Sequence, residues 1–336
     1  MRKIKYLILI GIIMTFWACS KETSSDKVGE TKELNVVVSN FVGYDFVRAI
    51  AGDKVRLELL LQPGAETHSY EPSPQDIITI KNSDLFIYAG GESEYWAEDV
   101  SLLGDLDGVD KLKLMDIVNL VEEAEVDGAE HDHEHEEDHD EEDHEHEEDH
   151  EHEEENEFTQ IAYDEHIWTS LENAERMVNG ITEKLVALDS ENKELYKTNG
   201  TAYIEEIREL IAKIQTIVDN RVRDRLVFGD RMPMQYFVDE FGLEVSAAFH
   251  GCSTETEPSP TTVAYLTELV KEEKIPVVLY IELSGGNIAK TIVEETGAKM
   301  LQIQSLQNVS KDDFEAGETY ISLMTRNLDV LTEALQ

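Results

Sequence analysis

The chain has 336 residues, 41% of them hydrophobic, with two cysteines and seven prolines. That is enough apolar sequence for a large core built without disulfides. A formal net charge of −45 argues against nucleic acid and anionic lipid head groups as partners and points to cations.

Arg2, Lys3 and Lys5 form a positive start, and residues 6–17 form an apolar core too short to span a membrane comfortably. Residues 1–19 therefore read as an export signal, which predicts an extracytoplasmic protein. Its end, Ala18-Cys19, has the form of a lipobox, although Phe16 and Trp17 are bulkier than usual. Cys19 is the expected lipidation site and membrane anchor. With Cys19 lipidated, Cys252 has no intramolecular disulfide partner. Residues 20–33 are polar and read as a flexible tether.

Strands are expected at 34–39, 55–61 and 85–89, with helices at 43–51 and 73–82 between them. This alternation predicts a parallel sheet covered by helices, an N-terminal α/β lobe over 34–166. Residues 167–221 read as helical. Ile204, Ile207, Leu210, Ile211, Ile214, Ile217 and Val218 recur there at three- and four-residue spacing, with Glu205, Glu206, Arg208 and Lys213 on the other face. A long helix here would link two lobes rigidly. Strands then return at 226–228, 245–249, 277–281 and 299–303. Helices follow at 234–241, 261–273, 287–296 and 317–335, so 222–336 reads as a C-terminal α/β lobe.

Residues 130–157 are almost entirely His, Asp and Glu. Such a stretch has nothing to bury and is expected to be disordered. It holds eight of the eleven histidines: His131, His133, His135, His139, His144, His146, His150 and His152. Imidazole suits zinc, copper and nickel, and the carboxylates add charge, so the segment is expected to be an auxiliary, low-affinity metal collector. Read as charge alone, it is a solvated spacer.

Three histidines remain. His68 follows the second strand, His166 lies in Asp164-Glu165-His166-Ile167-Trp168, and His250 ends the strand at 245–249. Open α/β sheets bind ligands beyond the carboxyl ends of their strands, so His68 and His250, one per lobe, are placed to meet across a cleft.

Several stretches, in this order, resemble the solute-binding proteins of zinc and manganese ABC transporters. They are Gly64-Ala65-Glu66-Thr67-His68-Ser69-Tyr70-Glu71-Pro72-Ser73, Gly90-Gly91-Glu92 and Asp164-Glu165-His166-Ile167-Trp168. Met234-Gln235-Tyr236-Phe237, Thr256-Glu257-Pro258-Ser259 and Glu294-Glu295-Thr296-Gly297-Ala298-Lys299 complete the set. The resemblance implies two Rossmann-like lobes with parallel sheets, joined by a long rigid helix, with the metal in the cleft between them. It implies His68 and His166 as ligands from the N-terminal lobe. In register, the family's third ligand falls at Arg231 and its fourth near Gln304 or Ser305, and neither Arg231 nor Gln304 is a credible zinc ligand. The C-terminal lobe must therefore complete the site otherwise. His250 is the first choice and Glu282 the second, with Asp230 and the acids Glu255 and Glu257 also near strand ends.

Imidazole at both firm positions favours Zn2+ over Mn2+. The expected role is capture of zinc and delivery to an ABC transporter permease, by a monomer anchored to the membrane through lipid. A manganese-binding protein of the same family, or a surface metal buffer or adhesin without transport, are the alternatives. A metalloenzyme is disfavoured, since no general base is evident beside the motifs.

Overall fold

The computed structural model describes residues 33–123, 163–253 and 258–336. Cys19, the histidine-rich segment and the acids Glu255 and Glu257 lie outside the described residues.

Two four-stranded parallel sheets carry the fold. The first comprises β1 (Leu34–Val38), β2 (Val55–Leu59), β3 (Leu85–Tyr88) and β4 (Asp110–Lys113), in spatial order β2-β1-β3-β4. The second comprises β5 (Arg225–Met232), β6 (Glu244–His250), β7 (Val277–Ile281) and β8 (Lys299–Ile303), in the order β6-β5-β7-β8. The topology of one lobe thus repeats in the other. Each sheet has a switch point, between β1 and β3 and between β5 and β7, and the chain leaves both strand ends there.

The side-chain period of two divides each sheet between two cores. Val36 and Val38 of β1, Leu85 and Ile87 of β3, Leu226 and Phe228 of β5, and Leu279 of β7 enter one large core. Val37, Phe86 and Tyr88 face a satellite cluster of the first lobe, and Val227 and Val278 face that of the second. The large core also takes residues from the helices α1 (Phe41–Ala51), α4 (Leu171–Leu188), α5 (Lys193–Asp219) and α10 (Tyr320–Leu335). One continuous apolar core therefore runs through both lobes.

The helix α5 has 27 residues, or roughly 40 Å at 1.5 Å per residue. Its buried Tyr203, Ile207, Leu210, Ile214 and Val218 follow the stripe expected from the sequence. The helical stretch is not continuous, however. Asp189 accepts from the backbone N–H groups of Glu191 and Asn192 and from the Tyr196 hydroxyl, a local turn that competes with the helix and separates α4 from α5.

The remaining helices are α2 (Pro74–Lys81), α3 (Val100–Leu103), α6 (Gln235–Phe241), α7 (Pro260–Glu272), α8 (Asn287–Thr296) and α9 (Lys311–Ala316). β4 escaped the sequence reading because Asp-Lys-Leu-Lys is polar, as an edge strand can be. α3 and α9 escaped it because they are short. β5 runs four residues beyond the expected 226–228, through a register shift between Phe228 and Arg231. Buried Asp230 sits in that irregularity, accepting from the backbone N–H groups of Arg231 (2.8 Å) and Ile281 (3.3 Å).

Candidate metal centre between the lobes

His68 lies on the loop after β2. That loop is stitched to the segment after β8: Gly64 N–H donates to Val309 O, Asn308 Nδ2 to Gln62 O and Ala65 O, and Thr67 Oγ1 to Gln307 O. His166 and Glu165 lie just before the 3-10 turn Ile167–Thr169, which leads into α4. This segment is fixed from the other lobe as well, since Trp168 Nε1 donates to Ser305 O and Tyr236 hydroxyl donates to Asp164 O (2.6 Å).

The structure brings four donors together: His68, Glu165, His166 and Cys252, whose ligating atoms all lie within 4.8 Å of one another. Three come from the first lobe and one from the second. Donors placed 2.0–2.3 Å from a tetrahedral zinc stand about 3.3 to 3.8 Å apart, so only a small contraction around an ion is needed.

Each first-lobe donor is held from behind. His68 Nδ1 lies 3.1 Å from Glu66 Oε1, and its buried Nε2 has no hydrogen-bond partner while lying 3.4 Å from Glu165 Oε1. His166 Nδ1 lies 3.1 Å from Asp164 Oδ1, which also accepts the His166 backbone N–H at 2.7 Å. Glu165 Oε2 accepts from Ser93 N–H at 3.0 Å. A carboxylate behind an imidazole fixes its tautomer and strengthens its free nitrogen as a ligand. Both histidines thus present Nε2, with their rings 5.6 Å apart.

Two glycines permit this crowding. A Cβ on Gly91, at φ +89°, would lie 2.6 Å from Glu165 Oε2. A Cβ on Gly251 would lie 3.0 Å from Met232 O and 3.3 Å from His166 Cε1, so the turn carrying Cys252 packs directly on the His166 ring.

Charge follows geometry. Burial opposes the charged form of His166, but Asp164, through its charge and hydrogen bond, outweighs it and holds the pKa well above the usual value. Burial pushes the Cys252 thiol up, against the hydrogen bond and charge of His166. The His68 hydrogen bond is the main cause holding Glu66 down at about 2, with Arg231 assisting against burial. Behind Glu165, burial raises Glu94 to about 7, even though its Oε2 accepts Gly90 N–H at 3.0 Å.

His250 and Glu282 stand outside the four-donor group. His250 ends β6 opposite Met232, two residues before Cys252. Glu282 is buried at the end of β7, and its carboxylate accepts from Ser305 N–H (2.7 Å), Ser305 Oγ (2.8 Å) and Gln307 N–H (3.1 Å). It serves the turn after β8 with both of its oxygens. Arg231 pairs with Glu66 at 3.4 Å. Gln304 donates to Gln302, and the residue that reaches the centre from this turn is Gln307, whose amide nitrogen is 2.6 Å from His166 Nε2.

Sequence reasoning missed Glu165 and Cys252 as donors, and Gln307 beside them. For Cys252 a signal existed, because the strand-end rule that selected His250 applies equally two residues on. Another was the acid two residues before each firm histidine, Glu66 before His68 and Asp164 before His166.

The described residues on either side of residues 124–162 pair here too. Glu122 and Tyr163 form an antiparallel bridge, and Asp164 N–H donates to Val121 O, two residues before His166.

Comparison with known proteins agrees with this architecture. The family model for zinc-uptake complex component A, periplasmic (ZnuA) matches residues 36–334. The chain is 30% identical over 338 aligned residues to the zinc-binding lipoprotein AdcA of Streptococcus pneumoniae, which covers 99% of this chain but only 61% of that protein. It is 30% identical over 319 residues to the high-affinity zinc uptake system protein ZnuA of Bacillus subtilis, covering 94% and 91%. The Zn(II)-bound ZnuA-like domain of Streptococcus pneumoniae AdcA has the same fold, with a TM-score of 0.69 at 28% identity over 90% of this chain and 99% of that one. Matched along nearly its whole length from β1 to α10, the chain belongs to the ZnuA family of periplasmic zinc-uptake components.

Proposed function

We propose that this protein is the extracytoplasmic binding component of a zinc importer, taking one Zn2+ between its lobes and delivering it to a membrane permease. The observation that carries this reading is the convergence of His68, Glu165, His166 and Cys252 from both lobes. Two neutral imidazoles, a carboxylate and a thiolate balance the charge of one divalent ion and supply the N, O and S donors that zinc takes. The names of the relatives and the zinc-bound state of the solved AdcA domain support zinc as the cargo. The lipoprotein name of the streptococcal relative supports anchoring through Cys19.

The cycle needs no covalent chemistry. The histidine-rich segment collects ions weakly, and the cleft holds one tightly. Release requires the loops at 62–68 and 305–309 to part. Docking on the permease drives transfer to the extent that the parted state binds zinc less tightly. The shared core keeps the movement small.

The test is chelator-competition titration of the full chain with zinc. One tight equivalent should be present and should be lost in His68→Ala and His166→Ala, while weak binding by the histidine-rich segment persists. A tight equivalent untouched by either substitution would refute the reading.

A further inference from the structure

We propose that Cys252 is a thiolate ligand from the C-terminal lobe and sets the metal preference of the cleft, favouring thiophilic cations such as Zn2+ and excluding Mn2+. This rests on the cleft reading above and goes further, by assigning the ligand that the second lobe supplies and the class of ion it selects.

The argument begins with what that lobe has to offer. Arg231 carries a positive charge and pairs with Glu66. Both oxygens of Glu282 accept from the Ser305–Gln307 turn. Asp230 is spent on the backbone of β5 and β7. Cys252 is the described second-lobe residue whose donor atom lies within 4.8 Å of the three first-lobe donors.

Its placement is built rather than incidental. β6 ends at His250, Gly251 allows the turn to press on His166, and the thiol lies within 4.8 Å of the His166 ligating nitrogen. Opposite it, His68 Nε2 is buried without a hydrogen-bond partner on a side chain only 7% exposed. A buried imidazole nitrogen with no hydrogen bond, grouped within 4.8 Å of a carboxylate and a thiol, is costly unless something lies among them, and a cation bound by all of them meets that need.

Chemistry then fixes the class of cargo. A site of oxygen and nitrogen donors accepts manganese and zinc on similar terms, and its selectivity rests on geometry. Sulfur changes this, because thiolate is a poor partner for hard ions such as Mn2+, Mg2+ and Ca2+ and a good one for Zn2+ and other soft cations. Binding forms the metal–sulfur bond as the thiol proton leaves to solvent.

Cobalt(II) tests this, since it takes zinc sites and reports sulfur ligation by an intense near-ultraviolet charge-transfer band. The full chain should be used as a Cys19→Ser variant, so that Cys252 is its one thiol. One equivalent of cobalt should produce the band together with tetrahedral visible bands, and zinc should displace both. Cys252→Ser should abolish the charge-transfer band. It should weaken zinc by about tenfold or more, given that loss of a mere supporting residue costs 10–100-fold, while manganese binding changes less, so the zinc-to-manganese preference falls. Cys252→His serves as the conservative variant, keeping tight zinc while losing the band. A tight equivalent of cobalt with no sulfur band, or an equal loss of zinc and manganese in Cys252→Ser, would overturn the assignment and leave a cleft site held by His68, Glu165 and His166 standing. Absence of any tight equivalent in the parent chain would instead overturn the cleft reading itself.

Discussion

Replacing Asp164 by asparagine tests whether the carboxylates behind the histidines act on the metal. Asp164 Oδ1 accepts the His166 backbone N–H at 2.7 Å and lies 3.1 Å from Nδ1, and its side chain is 3% exposed. Asparagine keeps an oxygen for the backbone but removes the negative charge in a site where solvent screens little. Zinc affinity should fall 10–100-fold, about 1.4 to 2.7 kcal/mol. Glu66 stands behind His68 at the same 3.1 Å, but it is 52% exposed and shared with Arg231, so Glu66→Gln should cost less than about tenfold. Because Asp164 strengthens proton binding at His166 as well as metal binding, the zinc deficit of Asp164→Asn should shrink as pH falls. Chelator-competition titration of both variants across pH reads all three effects. An Asp164→Asn affinity within about twofold of the parent, or a larger loss in Glu66→Gln, would refute the reasoning, since supporting carboxylates are expected to matter by more.

Further outcomes follow from the same geometry. The Gln307 amide occupies the His166 nitrogen that the metal needs, so Gln307→Ala should raise zinc affinity by about two- to tenfold, the worth of one hydrogen bond; a loss measured by titration would mean the amide oxygen is itself a ligand. Zinc binding should strengthen with rising pH, because the proton-binding affinities of His166 and Cys252 are both raised and the metal must displace those protons. Calorimetry in buffers of different ionisation enthalpy should find proton release between about pH 6 and 8, and its absence would contradict the ligand set. Burial holds Glu94 at about 7 against an ordinary 4.5, so the folded protein takes up its proton more readily than the unfolded chain. Stability from this group is therefore fully present below about pH 4.5 and lost as pH rises towards 7. Glu94→Gln, which retains an acceptor for Gly90 N–H, should then stabilise the protein above pH 7 by up to about 3 kcal/mol, seen as a higher Tm; an unchanged or lower Tm would contradict it.

What the sequence made legible is what hydrophobic pattern controls. Val36 to Val38 and Leu85 to Tyr88 announce buried parallel strands, and the repeated order of strands and helices announces two lobes. The edge strand Asp110–Lys113 lacks that pattern because three of its four side chains are charged. The break between α4 and α5 depends on the hydrogen bonds of a single aspartate. At the site, His68 and His166 stood out by residue type and motif, and the structure sets them side by side. Glu282 stood equally well at a strand end, yet its carboxylate went to the backbone of a turn whose need for an acceptor no sequence pattern displays. Cys252 was weighed only as half of a disulfide, and its proximity to His166 arises from a tertiary approach through Gly251 that the sequence does not encode locally.

The central claim is that one zinc ion sits between the lobes on His68, Glu165, His166 and Cys252. Its most direct test is an anomalous-difference map at the zinc edge from crystals of the zinc-loaded protein. A single strong peak should lie within bonding distance of His68 Nε2, His166 Nε2, a Glu165 oxygen and Cys252 Sγ, about 2.0 to 2.3 Å from each. A peak held by His250 or Glu282, or no ordered zinc between the lobes, would contradict the account.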